Sequence, residues 1–473
     1  MATVTQNRDS APTQKPSLLP MVIMFVVAVA LTILYTAWGG IPAPEYRVTF
    51  IIGVGLVLAL IAVLIVSGWH LLVRPITSGK TIQRADSLSA TLRTLLAVLI
   101  SVTALNNVVG IVWDDVWHHT FGIPLGKDFF WAPHILIYTF LGSVSLIALV
   151  AFYFLGIRSK GTYQRRFRAN PVVGILVLAG IFFVFATPTD PLWHTLYGAE
   201  IGAWSFPHIL LLWSISSAMM MVPMLLVTTM PKRDWGSVLK IRAKDVIIIA
   251  TYAFMSSALL ILLTTEWDGI ENLSAENLSI VMSRPDWLLT TTIVFIIGIT
   301  GSLALHTTRR TGSAILMGVL ALGIRASLLE IVGTDTLTSN AWIIAVVVLL
   351  SMEIAYAAWG IVRGTPAPWW AAGIGATLGL IAVLPFFDRL FVYPILSASS
   401  IPMVIVTGFI AACATHWAGR HLAERLWGFS DIPADAQPSA TENRVIHRIA
   451  PAAYLIVIVI TVAWAATAPP PPL

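Results

Sequence analysis

Six residues of two types recur in one pattern along this chain. Asp114 stands four residues before His118, with His134 sixteen residues further on, and Asp190 stands four before His194, with His208 fourteen further on. Both sets sit in related stretches, "WDDVWHHTFGIPLGKDFFWAPHIL" from Trp113 and "TDPLWHTLYGAEIGAWSFPHIL" from Thr189, which share Asp-x-x-Trp-His and then Pro-His-Ile-Leu. Residues four apart lie one turn apart on the same helical face, so each Asp and His can point into one pocket. Pro133 and Pro207 suit the first turn of a returning helix, which puts His134 and His208 at its start. Two imidazoles and a carboxylate can therefore converge at the mouth of each hairpin, leaving coordination positions for water or substrate. Asp115 and His119 are also four apart, so they are an alternative pair for the first site or a support behind it. Trp, His and Asp are ordinary at the end of a membrane helix. Their recurrence in both hairpins is what points to metal, because ionisable groups at a membrane boundary are costly without a role. Imidazole and carboxylate without sulfur fit copper, iron or zinc, and the spacing does not choose between them.

The elements that must position these residues are membrane helices. Of 473 residues, 57% are hydrophobic and only 11% charged, a balance of polytopic membrane proteins and not of soluble domains. Runs long enough to cross a bilayer, at about 20 residues each, fall near 19–37, 49–73, 91–113, 132–156, 171–187, 207–229, 244–265, 287–306, 312–333, 340–362, 368–386, 399–419 and 449–468. The expectation is an all-α polytopic bundle of about thirteen transmembrane helices. A polar leader at 1–18 precedes an uncleaved first helix. Residues 19–242 then form a membrane domain with both hairpins, and 243–473 a second one. The lone Cys413 permits no internal disulfide and no thiolate cluster.

Basic residues set the orientation. With a cytoplasmic N-terminus, Lys and Arg collect on the cytoplasmic side, apart from Arg47, Lys127, Arg284 and Arg389 opposite and Arg325 inside a span, as the positive-inside rule requires. The net charge of +5 and clusters such as "RSKGTYQRRFR" are then topology signals and anionic-lipid contacts, not nucleic-acid grooves. The hairpins fall on the extracytoplasmic side of a plasma membrane.

The hairpin residues resemble the C subunit of the copper-dependent membrane monooxygenases, the particulate methane and ammonia monooxygenase group. That subunit carries Asp-x-x-x-His and then a Pro-x-His-Ile type step into a helix, to which Asp114, Trp117 and His118, then Lys127, Asp128, Phe130, Pro133, His134, Ile135 and Tyr138 are similar. Its second set, Asn-x-x-x-His and a later His, is similar to Asp190, His194 and His208. The resemblance covers about residues 90–230. It implies copper at Asp114, His118 and His134 and at Asp190, His194 and His208, and oxidation of a small apolar or ammonia-like substrate by dioxygen, with other membrane or periplasmic subunits as partners. The chain departs from the family in its longer first hairpin, in Asp190 where the family has Asn, and in lacking a stretch for a soluble cupredoxin-like subunit. The outer loops of the second half, "TTEWDGIENLSAENLSIVMSRPDW" and "PFFDRLFVYPILSASSIPMV", are either degenerate repeats or parts of a fused companion subunit. Capture or transport of metal across the membrane, and a structural role in a respiratory assembly, stand as alternative functions.

Other polar residues inside spans have structural readings. Arg325 is expected to pair with Glu330 or Glu353, or with them to line a proton or cation path in the transport reading. Asn106 and Asn107 are expected to hydrogen-bond between helices. Trp113, Trp117, Trp131, Trp193 and Trp204 should wall the metal pocket. His70, His306, His416, His421 and His447 lie near the cytoplasmic ends of spans and carry no ligand expectation.

Overall fold

The computed structural model describes residues 29–30, 32–34, 37, 44–73, 88–121, 130–158, 161–197, 204–268, 284–332, 338–363, 367–390, 396–430, 432–433 and 437–470. The chain is an all-α polytopic membrane bundle, with twelve helices among the described residues long and apolar enough to span a bilayer. They coincide with twelve of the thirteen expected runs. The remaining one, 19–37, lies for the most part outside the described residues.

In chain order the helices are α1 (Pro44–Val73), α2 (Ala90–Phe121), α3 (Ala132–Arg158), α4 (Tyr163–Ala169), α5 (Pro171–Ala186), α6 (Thr189–Tyr197), α7 (Phe206–Val227), α8 (Ala243–Asp268), α9 (Trp287–Thr308), α10 (Ser313–Val332), α11 (Asn340–Arg363), α12 (Trp369–Val383), α13 (Ile401–Trp427) and α14 (Ala440–Thr467). The only strand pairing among the described residues joins β1 (Gly236–Ser237) to β2 (Arg310–Thr311).

Helix α2 is the hub, packed against α3, α7, α8, α10 and α14. The spans of α2, α8 and α9 are 78%, 78% and 83% buried by protein, whereas that of α1 is 0% buried, so α1 lies at the rim of the bundle, touching it through residues such as Phe50 and Gly68. At 1.5 Å per residue, the 32 residues of α2 measure about 48 Å, against about 30 Å of hydrocarbon. Its polar last turns, Asp114 to Phe121, can thus reach the interface while its apolar length stays in the bilayer.

Lipid is as apolar as leucine, so close packing through small residues holds such helices together. A Cβ on Gly110 of α2 would meet Leu136 Cβ at 2.9 Å and the Pro133 carbonyl oxygen at 3.0 Å; the bare glycine lets the start of α3 press onto α2 one turn before Asp114. The α9/α13 seam is similar, with Gly298 against Thr415 and Gly419 against Ser302.

Contacts identify the two ends of the bundle. At one end Thr265 of α8 and Arg325 of α10 reach Asp115 near the end of α2. At the other, Arg93 near the start of α2 donates to the Thr228 carbonyl at 3.0 Å, Lys244 at the start of α8 pairs with Glu442 at 2.5 Å, and Arg233 binds Asp245 and the Thr308 carbonyl. Helices on both sides of residue 243 share one apolar core.

Candidate metal centre

The last turns of α2 carry two adjacent aspartates, and neighbours on a helix point about 100° apart. Their side chains accordingly do different things. Asp114 faces α3: His118 Nε2 lies 3.5 Å and His134 Nε2 2.9 Å from the same oxygen, Asp114 Oδ1. One ligand atom from each of the three lies within 4.8 Å of the others. His134 occupies this position because α3 begins at Ala132 with Pro133 in its first turn, and because Gly110 admits that turn.

Asp115 faces a different side of the helix and is buried against α8 and α10. Arg325 donates to Asp115 Oδ2 at 2.9 Å, the Thr265 hydroxyl donates to Oδ1, and His119 Nδ1 lies 2.8 Å from the Asp115 backbone oxygen. Asp115 is thus the anion of a buried ion pair, and Asp114 is the carboxylate available to the hairpin site. The expected pairing of Arg325 with Glu330 or Glu353 is corrected. Glu330, five residues along α10, falls on another face and is exposed. Glu353 instead accepts the backbone N–H groups of Gly312 and Ile315, where its charge meets the positive end of α10. The Arg325 guanidinium also lies over the Trp342 ring, 4.8 Å from its centroid.

The second hairpin sits against the first. Asp190, in the first turn of α6, is buried; His208 Nε2 lies 3.2 Å from its Oδ1, and the Tyr138 hydroxyl donates to its Oδ2 at 3.0 Å. Tyr138 is one turn beyond His134 on α3, with ring centroids 5.7 Å apart. Two separate pockets were expected; the described residues form one polar line, His118, Asp114, His134, Tyr138, Asp190 and His208, with α3 joining its halves. His194 lies one turn after Asp190 in α6, but its side chain falls outside what the structure describes. So do Lys127 and Asp128. Tyr138 entered the sequence reading only through the resemblance, although its spacing of four from His134 was a signal.

The tryptophans divide. Trp113, Trp117 and Trp131 form an edge-to-face run with centroids 5.0 and 5.5 Å apart, and Trp131 lies 5.2 Å from the His118 ring. Trp131 lies against both site histidines, and Trp117 and Trp113 stack behind it. Trp193 packs instead against Phe50 and Phe206 in a small separate cluster, and Trp204 carries the Arg284 guanidinium over its face at 3.9 Å. The interhelical hydrogen bonds expected of Asn106 and Asn107 are not formed among the described residues: Asn107 is fully buried with neither amide atom bonded. Seven residues before Asp114, it shares that helix face with Gly110, where the glycine contact brings apolar α3 side chains close instead of polar ones.

The donor set suits a metal ion. Among the described residues, the ionisable groups acting on Asp114 are His134, His118 and a second carboxylate, Asp190. Both imidazoles face Asp114 Oδ1, with His134 at hydrogen-bonding distance and His118 further off. A cation between them would offset the desolvated carboxylate, whose burial is otherwise expensive. The candidate donors are nitrogen and oxygen, which copper, iron and zinc all accept.

No protein-family model matches the chain, and no curated protein or solved structure matches it significantly.

Proposed function

We propose that this chain is a metal-binding membrane protein with a copper centre at Asp114, His118 and His134, similar in role to the C subunit of the copper membrane monooxygenases. The observation that carries this reading is the convergence of three ligand atoms, from two helices, within 4.8 Å of one another. His118 and His134 bind, and Asp114 supplies the charge. Asp190 and His208, with His194 beside them in sequence, form the second ligand set. Copper held there supplies one-electron redox chemistry toward dioxygen. Tyr138 orients Asp190, and the Trp113, Trp117 and Trp131 rings keep bulk water from the imidazoles and present an apolar wall to a small substrate dissolved in the bilayer. Electrons come from companion membrane or periplasmic subunits. The excess of Lys and Arg in the opposite loops supports an orientation with the hairpins on the outer side of the plasma membrane.

Metal capture without oxidation uses the same site and is the second reading. Its extension to transport has less support, because Arg325 and Glu353 are engaged in structural contacts and Glu330 is exposed on another face. Metal analysis with electron paramagnetic resonance on purified protein tests the centre. Wild type should retain stoichiometric Cu(II) with imidazole nitrogen couplings, and a His118→Ala/His134→Ala variant should lose that signal. Equal, sub-stoichiometric metal in both would leave only a structural role. Iron or zinc in place of copper would remove the monooxygenase reading while keeping the site.

A further inference from the structure

The end of the bundle opposite the hairpins holds a second pair of histidines that sequence spacing did not single out, because they lie 110 residues apart on α9 and α13. His306 and His416 are both buried, at 4% and 3% exposure. Their Nε2 atoms face each other at 3.4 Å. That is longer than ordinary hydrogen bonds to nitrogen donors, about 2.7–3.2 Å. It equals the separation of two imidazole nitrogens on one four-coordinate ion, where bonds of about 2.0–2.1 Å at a tetrahedral angle put them about 3.3–3.4 Å apart.

The surroundings hold both rings in place. Ser302 Oγ lies 2.8 Å from His416 Nδ1; in the Nδ1–H tautomer the hydroxyl accepts that hydrogen bond and the Nε2 lone pair is left toward His306, the kind of outer-shell contact that orients metal-binding imidazoles. Trp235 sets its ring edge-on against His306, centroids 5.2 Å apart, and Tyr356 packs against both rings at 5.9 and 5.5 Å. On the His416 side is a cavity of about 20 Å³, bordered by Ser302, Met352, Glu353, Tyr356 and His416 together with small and aliphatic side chains. Space for about one water beside His416 leaves room for a solvent ligand to an ion held by the two nitrogens, while Glu353 stays bound to the Gly312 and Ile315 N–H groups. The α9/α13 seam keeps the rings in register, with Gly298, Ser302 and His306 at intervals of four facing Thr415, His416 and Gly419.

We propose that His306 and His416 form a second transition-metal site, taking an imidazole-preferring ion of the copper or zinc class, at the far end of the bundle from the hairpin centre. It stands independently of the function proposed for the hairpins. The test uses full-length protein in nanodiscs, stripped with chelator and titrated with Cu(II). A His118→Ala/His134→Ala/His194→Ala/His208→Ala variant, with the hairpin imidazoles removed, should still bind one Cu(II) whose pulsed electron paramagnetic resonance reports two imidazole nitrogens. Adding His416→Ala should abolish that ion, and adding Ser302→Ala, which leaves both rings in place, should weaken it about 10–100-fold. Absence of copper from the hairpin-free variant, or binding indifferent to both additional changes, overturns the proposal and leaves an imidazole–imidazole hydrogen bond. If His416→Ala does not fold, the nitrogen count and the Ser302→Ala affinity decide the matter. Loss of copper on hairpin substitution alone, with no residual ion, would support the hairpin centre while refuting this one.

Discussion

At the scale of single residues, adjacent aspartates divide the labour of one helix end. Asp114 meets two imidazoles, and Asp115 is locked to Arg325. A buried ion pair contributes little beyond its own desolvation, but breaking it strands a charge, which costs about 3–5 kcal/mol. Arg325→Ala should therefore lower the thermal unfolding midpoint in detergent markedly, while Asp115→Leu/Arg325→Met should recover much of the loss; a neutral single variant would mean that the pair carries no structural load. Tyr138→Phe removes one hydroxyl that holds Asp190. Metal affinity at the second ligand set should fall about 10–100-fold, as for other outer-shell partners, with no change in folding. Calorimetric titration separates these outcomes, and unchanged affinity would remove Tyr138 from the site.

At the scale of elements, the centre depends on how closely α3 approaches α2. Gly110 permits that approach, and a methyl there would collide with the Pro133 carbonyl and Leu136. Overpacking of this kind costs about 1–3 kcal/mol, and here the yielding element carries His134. Gly110→Ala should thus reduce metal retention as well as stability. Gly142 is the matched control on α3, since a Cβ there meets nothing within 4 Å; Gly142→Ala should leave bound metal at the wild-type level. Equal metal content in the two variants would show that the helix spacing does not set the site. The pattern that made this element readable was the Pro-His step, because proline at the start of a helix fixes where the returning span begins. What periodicity could not give was the rotation of α10, which turns Arg325 to α2 and Glu330 elsewhere.

At the scale of the molecule, two clusters of histidine occupy opposite ends of one bundle, and the membrane must lie between those ends. Orientation is open to a labelling test in a Cys413→Ala background, the native thiol being buried. Phe130→Cys, at a position 77% exposed beside the hairpin site, should react with a membrane-impermeant maleimide in intact cells. Leu239→Cys, 90% exposed at the other end, should react only after permeabilisation. The reverse pattern would invert the proposed topology. The sequence alone determined the class of this protein and the outline of its first site. Hydrophobic runs of bilayer length leave the backbone no alternative to helices, and a four-residue interval commits an Asp and a His to one face before any tertiary contact exists. Only the tertiary structure decided which of two neighbouring aspartates meets the histidines, that both hairpins join through Tyr138, and that His306 and His416 meet at all. Each of these depends on helix rotation and on contacts between distant segments. In lipid those are fixed by the close fit of small residues and buried polar pairs between helices, and spacing along one helix does not name its partner.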